Sequence, residues 1–94
     1  MSRIPTHPGA VLRADVFPAL NMPKTKIARA LGISRSMLYA ILAEDVPITP
    51  NIALRLGKFL GNGPELWMDM QVAHDLAVTA RGMKRELDGV RKVA

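Results

Sequence analysis

The chain has 94 residues, 49% of them hydrophobic, with no cysteine and a formal net charge of +5. That length allows one domain with one small core and leaves little room for a deep catalytic cleft, while the apolar content argues against wholesale disorder. The lack of cysteine excludes disulfides, thiolate zinc sites and thiol nucleophiles, and the longest apolar run, the seven residues Met37–Ala43, falls far short of the about 20 that a membrane span needs.

Residues 1–7 read as an extended arm, because Pro5 and Pro8 each disfavour helix in the residue before them. Met1–Pro5 has no apolar stretch of the secretion type, and with the absence of cysteine this leads to the expectation of a reducing, cytoplasmic location. Pro8 opens a first helix with Thr6 or His7 near its cap and Val11, Leu12 and Val16 on its apolar side. Pro18 is expected to stop that helix. Leu20 and Met22 then plug a loop in which Asn21 suits a left-handed conformation.

A second helix starts near Pro23, with Ile27, Ala28 and Leu31 on one face. Gly32 suits its left-handed end and Ile33 is the hydrophobe expected just beyond. Ser34 caps a third helix whose apolar stripe is Met37, Leu38, Ile41 and Leu42, leaving Arg35, Ser36 and Tyr39 outside it. After the loop Glu44–Pro47, Thr49 and Pro50 supply the cap and first residue of a fourth helix carrying Ile52, Ala53, Leu56, Phe59 and Leu60 inward. Gly61-Asn62-Gly63 ends it, and Pro64-Glu65 opens a fifth, with Leu66, Trp67, Met70, Ala73 and Ala77 on its apolar side. Gly82 closes this helix, and residues 82–94 form a basic tail, partly frayed or gathered into a short last helix. No segment alternates as a strand does. The fold class is all-α: an arm over 1–7, a five-helix domain over 8–81, and the tail.

Charge is unevenly placed. Residues 1–43 carry six bases against one acid, residues 44–80 two against five, and residues 81–94 five against two. The basic first half suggests a surface that faces a polyanion.

Residues 24–43 hold the most specific local pattern. Two short helices flank a tight turn, Ala28 is small where crossing helices approach, Gly32 ends the first helix, and Ile33, Leu38 and Ile41 anchor the second. These are the requirements of a helix-turn-helix, whose second helix enters the DNA major groove while the first crosses the backbone. The pattern resembles the lambda-repressor-like (XRE-type) helix-turn-helix family. The fuller set His7-Pro8-Gly9, Leu12-Arg13, the run Thr25–Arg35, Ile48-Thr49, Ala53–Leu56 and Pro64–Met68 resembles the HigA/VapI family of antitoxins, over about residues 4–76.

The resemblance implies a five-helix, homodimeric autorepressor whose dimer contact comes from the C-terminal helical region. It implies two partners: double-stranded operator DNA with inverted repeats, and a RelE-like (HigB-type) mRNA interferase toxin that the antitoxin neutralises. Two departures stand out. Pro23-Lys24 replaces the family's common Ser-Gln at the start of the second helix, and Ala43-Glu44-Asp45 replaces Asn-Gly plus a base after the third. Carboxylates there repel a phosphate backbone. Two other readings therefore remain beside the antitoxin: a free-standing XRE-type regulator, and a protein-interaction module with weakened DNA binding.

Arg35, in the first turn of the recognition helix, is the first base-contact residue, since a guanidinium pairs bidentately with guanine; Ser36 and Tyr39 follow. Lys24, Thr25 and Lys26 are placed to meet phosphates at the start of the second helix, and Ser34 combines capping with a phosphate contact. Arg13 and Arg29 are secondary phosphate candidates, since the sequence does not fix which way they face. Phe59, Leu66, Trp67 and Met70 are read as core or dimer seam. His7 and His74 lack companion ligands, Asp69 and Asp75 read as solvated helix charges, and Gly61-Asn62-Gly63 lacks the lysine of a phosphate loop. No catalytic residue, metal or cofactor is expected.

Overall fold

The computed structural model describes residues 3–93; Met1 and Ser2 of the expected arm and Ala94 of the expected tail lie outside the described residues. The architecture is all-α, with no strand among the described residues. Helix α1 covers 8–20, α2 Lys24–Leu31, α3 Arg35–Leu42, α4 Pro50–Leu60, α5 Pro64–Gly82 and α6 Lys84–Asp88.

Helix α1 corrects one expectation. Pro18 does not stop it. The helix passes through the proline by widening just before it: Pro8–Val11 is α-helical, Leu12–Val16 is a π turn, and Phe17–Leu20 is α-helical again. The Phe17 N–H reaches back five residues to the Leu12 carbonyl. The inserted residue puts Pro18 in the first turn of the next α segment, where a missing N–H costs little. The helix then ends at Asn21, in the left-handed region at φ 53°.

The start of α1 sits close against α3. A Cβ on Gly9 would lie 2.0 Å from the Ile41 carbonyl oxygen, so only glycine lets the two backbones meet. One core joins α1 to α5: Leu12, Phe17, Ile27, Ala28, Leu31, Leu38, Ile41, Leu42, Ile48, Ile52, Ala53, Leu56 and Trp67 are all buried. Full burial of a large apolar side chain contributes about 1.5–3 kcal/mol, so this cluster dominates the folding free energy.

Helix α5 faces inward through Trp67 and Gln71, one turn apart. Trp67 Nε1–H donates to Asn62 Oδ1 at 3.2 Å. Leu66 and Ala73, expected on the apolar side, are exposed. Each residue turns about 100° around the axis, so a face set by Trp67 and Gln71 carries Leu66 outward. From Val78 to Val93 every residue is exposed. The molecule is therefore elongated, with extents of 51 × 23 × 22 Å and a radius of gyration of 15.9 Å, against about 12 Å for a compact globule of this length. Among the described residues no helix is long and apolar enough to cross a membrane.

Candidate nucleic-acid interface

Local chemistry sets the two helices of residues 24–42. Gly32 ends α2 at φ 73°, with its N–H on the Arg29 carbonyl (3.1 Å) and the Ile33 N–H on the Ala28 carbonyl (3.0 Å). This is the Schellman closure that favours glycine. Ser34 Oγ accepts the Met37 N–H at 3.0 Å and starts α3. Ile27, Ala28 and Leu31 meet Leu38, Ile41 and Leu42 in the core, which fixes α3 against α2.

That packing leaves Arg35, Ser36 and Tyr39 exposed along the outer side of α3, with Tyr39 half-exposed. Met37, expected in the apolar stripe, also faces outward at 41% exposure. Lys24, Thr25 and Lys26 are exposed at the start of α2, where Pro23 supplies no side-chain cap. The orphan N–H groups of that terminus, beside two lysines, form an anion-attracting end. The Ser34 hydroxyl is used as an acceptor in the cap and keeps its proton to donate.

Two depressions flank α3. Thr25, Arg29 and Arg35 line one together with Ala28 and Ile33. Lys24, Tyr39 and Arg13 line the other together with Leu42 and Ala43. Ser36 and Lys26 line neither. The residues read as core or dimer seam lie elsewhere: Trp67 is inside the single-chain core, Phe59 and Met70 pack partly buried against it, and Leu66 is 49% exposed.

Several residues that hold this frame carry no local signal. Arg13 Nη1 donates to the Leu42 carbonyl at the end of α3, and Nη2 pairs with Glu44 Oε2 at 3.2 Å. One of the two carboxylates that follow α3 is thus balanced within the chain. Arg55 clamps the end of α2 by donating to the carbonyls of Leu31 (3.0 Å) and Gly32 (3.3 Å), while Asn51 Oδ1 accepts its Nε–H at 2.7 Å. Gln71 Oε1 accepts the buried Ile48 N–H at 2.7 Å, and its Nε2 donates to Asp75 at 2.9 Å. Asp75 is therefore a hydrogen-bond partner as well as a helix charge.

His7 Nδ1 accepts the Gly9 N–H at 2.9 Å, and its ring meets His74 edge-on at 5.1 Å. Burial, then the neighbouring His74, holds the His7 pKa below the usual histidine value; Glu44, Asp75 and a hydrogen bond with the Val46 backbone oppose the shift. No group of three or more His, Asp or Glu side chains among the described residues is placed to hold a metal.

No family model matches the chain. It is 36% identical over 70 residues to virulence-associated protein I of Dichelobacter nodosus, an alignment covering 74% of this chain and 65% of that protein. The antitoxin GraA superposes with a TM-score of 0.90 at 31% identity, over 98% of this chain and all of that one. GraA in complex with its operator gives 0.90 at 30% identity, over 100% and 96%. An addiction-module antidote protein of the HigA family from Coxiella burnetii gives 0.87 at 29% identity, over 98% and 100%.

Proposed function

Because the chain belongs to the HigA family of antitoxins, with an XRE-type helix-turn-helix, we propose that it is a cytoplasmic antitoxin. It neutralises a RelE-like (HigB-type) mRNA interferase and represses its own operon as a dimer on inverted-repeat DNA. The observation that carries this reading is the outer side of α3. Arg35, Ser36 and Tyr39 stand exposed on a helix anchored by Leu38, Ile41 and Leu42, beside the uncapped, basic start of α2. The similar antitoxin GraA is found in complex with its operator, which supports DNA as a partner.

In the proposed complex Arg35, Ser36 and Tyr39 meet base edges. Lys24, Thr25, Lys26 and Ser34 meet phosphates and fix the register. Two recognition helices enter successive major grooves about 34–36 Å apart. The dimer seam runs along the outer side of α5, where Val72 and Leu76 are exposed apolar residues, and continues to Met83 at its C-terminal cap.

The test is Arg35→Ala, assayed on the duplex upstream of the chain's own gene and on a random duplex of equal length. The expected result is a loss of about 1–3 kcal/mol on the upstream duplex and little on the random one. Equal losses would remove Arg35 from base recognition. For the toxin arm, tagged protein is recovered from its native cells after nuclease treatment and a high-salt wash. A small, near-stoichiometric RelE-like protein is the expected companion. Recovery of the chain alone would favour a free-standing regulator.

A further inference from the structure

The fold brings Arg3 of the N-terminal arm beside Arg81 and Lys84, where α5 ends and α6 begins. A groove of about 360 Å³ lies between residues 3–4, the last turns of α5 and the first residue of α6, and Arg3, Arg81 and Lys84 line it. Its floor is Ala77 and Ala80, one helical turn apart, and no carboxylate lines it. All three cations are exposed, and none of them is in an ion pair among the described residues. The arm that brings Arg3 here is anchored: Pro5 O lies 2.8 Å from His74 Nδ1, and the neighbouring His7 ring packs against His74.

Three like charges around one concavity raise a positive potential there that favours an anion among them, most strongly at low salt. The small floor lets such an anion approach the helix between the long basic side chains. Arg supplies planar, forked donors suited to phosphate oxygens, and Lys a mobile point charge. The groove shares no lining residue with the two depressions beside α3.

We propose that this groove is a second nucleic-acid contact region, which takes the phosphates of a sugar-phosphate backbone without reading sequence. The inference rests on the assignment of the chain as a DNA-binding protein, and adds to it a contact outside the helix-turn-helix.

The experiment is a salt titration of binding to two probes, the upstream duplex and a random duplex of equal length, using the full chain and the double variant Arg81→Gln/Lys84→Gln. Circular dichroism melts establish that the variant is folded, as expected for two exposed side chains. Each lost phosphate contact lowers the slope of log K against log salt by about 0.9. The expected result is a slope smaller by about 2 for each bound chain, about 4 for the proposed dimer, on both probes, with sequence preference unchanged. A folded variant with an unaltered slope overturns the proposal, including one that loses a protein partner instead, which would assign the groove to an acidic protein surface. Failure of the unmodified chain to bind the random duplex at low salt also overturns it. Arg35→Ala, measured alongside, separates the two ideas. Loss of preference there with an unaltered slope in the groove variant leaves the helix-turn-helix reading standing alone, and the converse pair leaves the groove standing alone.

Discussion

His7 does two jobs that pull its protonation in one direction. Its Nδ1 must stay unprotonated to accept the Gly9 N–H, and its buried ring sits against a second imidazole, His74. Both favour the neutral form, and with its pKa held below 6.5 in the fold the unfolded chain takes up the proton first. Stability from this residue is complete above about pH 6.5 and is lost as pH falls through the ordinary histidine value toward the lowered one. Glu44 and Asp75, the acids that act on this ring, moderate the loss without reversing it. Urea denaturation midpoints at pH 7.5 and 5.5 should therefore differ, with the lower value at pH 5.5. His7→Asn keeps an acceptor for the Gly9 N–H and removes the titration, so the difference should shrink. An equal difference in both proteins would clear His7 of the effect.

Helix ends decide how the recognition helix is held. At its C-terminus the Glu44 N–H bonds the Ile41 carbonyl (3.0 Å) and the Asp45 N–H bonds the Ala40 carbonyl (2.9 Å), with Glu44 itself at φ 64°. This is the same closure that Gly32 makes for α2, but with a side chain where glycine is favoured. A left-handed conformation costs a non-glycine residue about 1–2 kcal/mol, and the exposed pair with Arg13 returns at most about 1. Glu44→Gly should thus be more stable than Glu44→Ala by about 1 kcal/mol, since both lose the ion pair and only alanine keeps the backbone cost. Equal midpoints in denaturant would contradict the strain argument.

The same ends show what was legible in the sequence. Asn21, Gly32, Ser34 and Thr49 act where the sequence placed them, because a cap is made by residues within a few positions of one another. Pro18 was misread because the π turn that accommodates it belongs to the backbone and leaves no mark in residue spacing. The bonds that make Arg13, Arg55 and Gln71 hold the frame were missed because they reach the Leu42 and Leu31 carbonyls and the Ile48 N–H, 29, 24 and 23 residues away and beyond any local pattern. The outer side of α3 was legible because three anchors, Leu38, Ile41 and Leu42, define what must face away from them.

At the scale of the whole molecule, the core ends midway along α5 and the helix continues beyond it. Val72 and Leu76, at 49% and 66% exposure, stand one turn apart on that free part, and Met83 is exposed at its C-terminal cap. A second copy of the chain covers such a stripe in the proposed dimer. Leu76→Asp should shift the mass seen by sedimentation equilibrium from two chains to one, while the melting curve at low concentration stays close to that of the unmodified protein. A dimer that persists through this change would place the seam elsewhere. Trp67→Ala is the contrasting change: its ring is inside the single-chain core, so truncation should cost about 3–5 kcal/mol of folding stability.

The same projecting helix alters how one copy moves through solvent. A particle 51 Å long and about half as wide meets more friction than a sphere of equal mass and tumbles anisotropically, fastest about its long axis. A single chain will therefore run ahead of globular standards of 10.3 kDa on a sizing column. Its amide relaxation rates will also divide by bond direction, with N–H vectors along α5 reporting slower reorientation than those lying across it.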